Sequence, residues 1–282
     1  MRYAVSDFIL RLIQKKVIVI TADYVGLGNR IKQLASYHIC FGLNNTTLIW
    51  NKQGWVNKGF DELFQLEGVY GFKSVNVSMS RLWPVVISYP ARSEFKERGY
   101  WRFFVNVNDV PESFNITRNG LTYPAIDFRY RDMPDKLVYK YREFFSRLKP
   151  SAAVVQRLKE ITITKEVVCV QVRNSKDKND HARVPEIDSF ITIMSTYPSD
   201  TRFFISAMDS GYAVAFIKVF GNRVFELPGK DYMSMVDAVA DMYALSMGRE
   251  LILSEGSTFP EISWWLGSCS QLVSIVPASY KQ

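Results

Sequence analysis

Between residues 167 and 276, short β-branched runs alternate with amphipathic helical segments, and this alternation limits the possible folds most tightly. Residues 167–172, 202–206, 224–227, 251–253 and 272–276 read as strands, since each is a short apolar run bounded by polar residues. Residues 185–197, 212–220, 234–247 and 259–266 carry apolar side chains at helical spacing. Ser234 and Asp237 have the spacing of a capping box. Strands alternating with helices imply a parallel sheet. Open parallel sheets bind their ligands at the carboxyl ends of the strands. Three of these strands end in polar clusters, at residues 173–177, 209–210 and 254–259.

The clusters are chemically complementary. Arg173 closes the run VVCVQVR, and its planar fork binds two phosphate oxygens while keeping its charge. Ser257 and Thr258 stand where a helix begins, a place that offers hydroxyls and free amides to phosphate. Asp209, followed by Ser210, is an acceptor for a ribose hydroxyl or for purine N–H groups. Each cluster alone also fits a cap or a turn. Three on one edge point to a nucleotide crevice.

The first half opens in the same way. Residues 17–21 (VIVIT) read as a strand, Gly26 and Gly28 as a turn, and residues from Ile31 as a helix, with His38 on its apolar face. Glycines let backbone approach a ligand closely, but no third glycine completes a dinucleotide fingerprint. Residues 46–50 and 70–77 read as further strands, residues 61–64 as a short helix, and residues 137–148 as a longer one. From 79 to 132 no period is legible, although residues 100–105 fit a strand. Lys149-Pro150 breaks the helical pattern, and Ser151 caps the next helix. The expected domains are therefore 1–149 and 150–282, about two for a chain of 282 residues.

The net charge of +7 and pI near 9.2 suit an anionic ligand or a membrane surface, and no nucleic-acid motif is present. The three cysteines, Cys40, Cys169 and Cys269, lie far apart in apolar stretches, as expected of reduced, buried thiols in a cytoplasmic protein. Only two histidines, His38 and His181, argue against a histidine-rich metal site. The amphipathic stretch 1–16 reads as a packed helix or as a weak membrane-surface contact, and contains neither a signal peptide nor a span. No oligomeric state is legible.

Four segments together resemble the GDP-fucosyltransferase superfamily, which includes the nodulation α-1,6-, the α-1,2- and the protein O-fucosyltransferases. They are Gly26-Leu27-Gly28-Asn29-Arg30, Val170-Gln171-Val172-Arg173, Phe203 to Ser210 (FFISAMDS), and Asp237 to Trp265 with its Ser-Thr-Phe turn and Trp-Trp pair. The resemblance implies an α/β, GT-B-like fold of two Rossmann-like domains facing across a cleft. It implies an N-terminal acceptor-side domain and a C-terminal nucleotide-sugar domain. It further implies inverting, metal-independent transfer of fucose from GDP-fucose, as donor substrate with no cofactor, to the hydroxyl of a glycan acceptor. By the same resemblance Arg173 holds the β-phosphate, and Ser257, Thr258 and Phe259 grip phosphate. Asp209 with Ser210 reads guanine or ribose, and Gly26, Gly28, Asn29 and Arg30 lie near the reacting sugar. Gln171 stands where the family usually carries histidine; glutamine also hydrogen-bonds a base edge. An acceptor hydroxyl needs a base or hydrogen-bond acceptor, and Asp177, Asp180 and His181 are the nearest candidates after Arg173. A transferase using another nucleotide sugar, or a non-catalytic nucleotide- or glycan-binding protein, remains an alternative.

Overall fold

The computed structural model describes residues 17–20, 26–41, 46–52, 56–66, 73–75, 115–117, 120–122, 133–173 and 184–278. Expectations for residues 1–16, 100–105 and 174–183, including Asp177, Asp180 and His181, fall outside the described residues. The described chain forms two compact units that meet in sequence at Lys149 and Pro150.

The first unit holds a three-stranded parallel sheet, β1 (Val17–Ile20), β2 (Thr46–Asn51) and β4 (Lys73–Val75), in the order β1-β2-β4. Helix α1 (Leu27–Phe41) follows β1, and α2 (Phe60–Leu63) leads into β3 (Phe64–Leu66). The sequence without a clear period contains an antiparallel hairpin, β5 (Asn115–Thr117) with β6 (Gly120–Thr122). Helix α3 (Asp135–Arg147) buries Leu137, Tyr141, Phe144 and Phe145, the i, i+4, i+7, i+8 stripe read from the sequence. It runs into β7 (Leu148–Pro150), which pairs with β3. His38 lies 5.3 Å from the ring of Phe144, and burial pushes its pKa down to about 4, so it is neutral at pH 7.

The second unit is a five-stranded, wholly parallel sheet. Its elements in order are α4 (Ala152–Leu158), β8 (Val168–Val172), α5 (Ile187–Met194), β9 (Phe203–Ala207), α6 (Ser210–Phe220), β10 (Val224–Phe225), α7 (Met235–Met247), β11 (Glu250–Ser254), α8 (Thr258–Leu266) and β12 (Leu272–Val276). The spatial order is β10-β9-β8-β11-β12. The chain thus winds outward from β8 in one direction, returns, and winds outward in the other. The switch point lies between β8 and β11.

Strand β8 is buried along its whole length, as a central parallel strand must be. Its alternation divides the core. Val168, Val170 and Val172 pack with Phe203 and Ile205 of β9 against Phe190 and Met194 of α5 and Phe216 of α6. Cys169 and Gln171 point to the other face, because side chains alternate along a strand. On that face the Cys169 thiol lies 3.8 Å from the carbonyl of Ala244 in α7. Burial pushes this thiol up to about 12. At the end of α7, Gly248 packs so closely that an added Cβ would lie 2.5 Å from Cys169 Sγ and 2.8 Å from the Val167 carbonyl. Gly248→Ala is therefore expected to lower stability by about 1–3 kcal/mol, the usual cost of overpacking, and thermal melting measures it.

Two helix starts of the second unit followed the sequence closely. Ser151 Oγ accepts from the Val154 N–H at 3.4 Å, and Ser234 Oγ from the Asp237 N–H at 3.2 Å. The capping box expected at Ser234 is only half realised. The Asp237 carboxylate instead takes a two-pronged ion pair from Arg157 (2.7 and 3.0 Å) and accepts the Asp231 N–H at 2.9 Å. A guanidinium fork outcompetes a single local amide. Burial raises the Asp237 pKa, but these bonds more than offset it and hold it below the usual range.

Candidate active site

The carboxyl edge of the five-stranded sheet brings the three polar clusters onto neighbouring strands. Arg173 leaves β8 directly beside the end of β11, because Gln171 is in register with Leu253. Its backbone N–H donates to Ser254 Oγ at 2.7 Å. Its guanidinium Nη1 donates to the Gly256 carbonyl at 3.0 Å. Gly256 has φ +65°, a left-handed conformation that glycine adopts without a Cβ penalty, and it turns the chain from β11 into α8. Arg173 is thus tied twice to the turn that carries Ser257 and Thr258, across the switch point.

Ser257 occupies the N-cap position of α8 and is buried, yet its side chain makes no capping bond. Thr258 and Phe259, both half-buried, begin the helix. The first turn of a helix carries amides with no intrahelical partner and the positive end of the dipole. A guanidinium next to such a turn can hold a phosphate from two sides.

On the other flank of β8, Val172 is in register with Ala207, the last residue of β9. Asp209 follows as the N-cap of α6, its Oδ1 accepting from the Gly211 N–H at 2.7 Å. The carboxylate read as a ligand acceptor therefore performs a capping role, with Ser210 exposed as the first helical residue. The local competition of an aspartate for nearby amides accounts for this.

In the first unit the expected glycine turn is largely helix. Leu27 already begins α1, Gly28 is buried within it, and Gly26 and Asn29 are half-buried. Arg30, expected near the donor, is completely buried with its guanidinium over the Trp50 ring at 5.4 Å, inside the first unit. Its apparent place on a polar turn depended on the helix beginning at Ile31.

Two polar groups that the sequence reading did not single out, Ser206 and Asp241, lie beside Gln171 at the same carboxyl edge. Gln171 and Ser206 are register partners, both buried on the α7 face of the sheet. Ala244 of α7 lies beside Cys169. Asp241, three residues earlier, therefore sits about 4.5 Å nearer the carboxyl edge, level with Gln171 and Ser206. Asp241 is buried, and burial pushes its pKa up to about 6, with Lys230 and Ser206 pulling the other way. Its Oδ2 accepts from Lys230 Nζ at 2.6 Å. Among the described residues, neither Gln171 Oε1 nor Asp241 Oδ1 has a hydrogen-bond partner. Buried acceptors are ordinarily satisfied, so these two leave room for a donor that the described residues do not supply. The sequence signal was a pair of aspartates, Asp237 and Asp241, one helical turn apart in an otherwise apolar helix. Among the described residues there is no group of three potential metal ligands, and no helix long and apolar enough to cross a membrane.

No protein-family profile matches the sequence, and no curated protein matches it significantly. Solved structures do match in shape. A variant of Arabidopsis thaliana FUT1 in complex with GDP matches with TM-score 0.56 at 15% identity, over 98% of this chain and 74% of that one. POFUT1 matches in its apo form with TM-score 0.54 at 10% identity, over 93% of this chain and 98% of that one. POFUT1 in complex with GDP matches with TM-score 0.51 at 12% identity, over the same shares of 93% and 98%. The parallel five-stranded sheet, its switch point at Arg173 and these matches together establish that the chain has the α/β fold of the GDP-fucosyltransferases FUT1 and POFUT1.

Proposed function

We propose that this protein is an inverting, metal-independent glycosyltransferase that moves fucose from GDP-fucose to a glycan hydroxyl. The observation that carries the proposal is Arg173 at the topological switch point, bonded to the turn that opens α8. Cleavage of the sugar–phosphate bond leaves negative charge on the β-phosphate. A fixed guanidinium and helix-start amides stabilise that charge without reorganising. Arg173, Ser257 and Thr258 fill this role, Phe259 supports the turn, and the unpaired acceptors of Gln171 and Asp241 suit the base half of the nucleotide. Gly26 and Asn29, which lie in the first unit, are donor-binding residues in this reading by the resemblance alone. Asp177, Asp180 and His181 supply the candidates for the base that receives the acceptor's proton.

Gln171 favours a second reading, a transferase that uses another nucleotide sugar, because its amide offers a base edge a donor as well as an acceptor. Thermal melting with a panel of nucleotides separates the two. GDP at about one hundred times its Kd is expected to add about 2.7 kcal/mol of stability, and UDP or ADP to add none. A larger shift with another nucleotide would replace guanosine in the assignment. Release of GDP from GDP-fucose in the presence of a glycan tests catalysis itself; binding of GDP without turnover would make the protein a nucleotide-binding module.

A further inference from the structure

Lys230 is not part of any strand end or motif, yet its side chain is only 3% exposed. It lies in the connection between β10 and α7. It donates to the Ala207 carbonyl at 2.9 Å, and to Asp241 Oδ2 at 2.6 Å. One lysine therefore joins the last residue of β9 to the buried face of α7. The connection that carries it is itself tied down. Arg157 of α4 donates to the Pro228 carbonyl at 3.0 Å while holding Asp237. The Asp231 N–H donates to that same Asp237 carboxylate, and the Tyr232 hydroxyl donates to Glu226. Among the described residues, the charged and titratable groups that act on the Lys230–Asp241 pair include Glu226, Tyr232, Arg157, Asp237 and Cys169.

A buried ion pair is seldom the most stable way to fill a core, since well-packed apolar residues do as well or better. What the pair supplies is geometry. Lys230 takes one carboxylate oxygen, which fixes the plane of Asp241 and leaves Oδ1 at the carboxyl edge beside Gln171 and Ser206, with the Ser206 hydroxyl near the carboxylate but no well-formed bond to Oδ1 among the described residues. We infer that Lys230 is a positioning residue of the nucleotide site, acting through Asp241, whose second oxygen it orients toward the ligand. This rests on the proposed nucleotide-binding function.

A double-mutant cycle on the full chain tests it, with GDP as the probe and calorimetry as the readout. Lys230→Met is expected to weaken GDP binding at least tenfold when Asp241 is present. In an Asp241→Asn background the same substitution is expected to change it less than twofold, because nothing is left to orient. The donor KM follows the Kd, while kcat changes less than threefold. Equal losses in both backgrounds, or no loss in the native one, overturn the inference. If Lys230→Met alone does not fold, Lys230→Met/Asp241→Asn contains no unpaired charge and is compared with Asp241→Asn. A difference above twofold between those two also overturns it. Failure of the wild-type protein to bind GDP overturns the functional reading together with the inference, whereas GDP binding insensitive to Lys230 overturns the inference alone.

Discussion

Arg173→Ala is expected to lower fucosyl transfer about a thousandfold while leaving nucleotide-free thermal melting close to that of the wild type. Removing one preorganised donor from a developing anion typically costs a factor of 10² to 10³ in kcat. Under the proposed function Arg173 sits at the upper end, because its full charge and fork would both act on the departing phosphate. Stability changes little, because the backbone N–H bond to Ser254 Oγ survives the substitution and the lost Nη1 bond to Gly256 lies in an exposed setting. Arg173→Lys keeps the charge but not the fork, and falls between the two. Steady-state kinetics with GDP-fucose measure the effect. Full activity in Arg173→Ala would remove this residue from the mechanism, and a collapsed melting curve would make it structural.

Asp241 provides the second large effect, in the dependence of stability on pH. An aspartate ionises near 3.8 in the unfolded chain, but near 6 in the folded protein, where burial penalises its charge. Between those values the folded form keeps a proton that the unfolded form has lost, so raising the pH favours unfolding. The contribution is fully present below 3.8 and lost once the pH has passed about 6; the gap corresponds to about 3 kcal/mol. Asp237 works in the opposite sense, since its pKa is lowered, and its contribution disappears only as the pH falls into the acid range. Comparing denaturant unfolding of the wild type with Asp241→Asn from pH 4 to 7 isolates the first term. The asparagine variant is expected to lack the decline, and parallel curves for the two proteins would show that the Asp241 carboxyl titrates normally.

Most of the second unit was legible in the sequence because its elements follow from local periodicity. The run at 167–172, the helices from 212 and 234, and the strand Leu272–Val276 have the lengths and polar ends that a parallel sheet requires. The first unit was less legible. Its hairpin β5–β6 and the pairing of β7 with β3 involve strands of three residues, too short to display a period of two. At the site, Arg173 and the turn at Ser257 were readable as polar residues where apolar runs stop. Asp209 was read correctly as polar and terminal, and the structure adds a capping bond from the Gly211 N–H to it.

What the sequence by itself determined is the alternation of strand and helix, the polarity of the carboxyl edge, and the identity of Arg173 as its fixed cation. These depend on neighbours a few residues away. Only the tertiary structure decided that Arg173 meets Ser254, 81 residues later, and that Arg157 holds Asp237, 80 residues later. It alone decided that Arg30 turns inward onto Trp50, and that Lys230 leaves Asp241 with one oxygen that no described residue pairs, next to Gln171 and Ser206. Strand order sets these meetings, and strand order comes from which crossover the whole core packs best. No local period records that choice, so the Lys230–Asp241 pair becomes visible only once β8, β9 and α7 are in place.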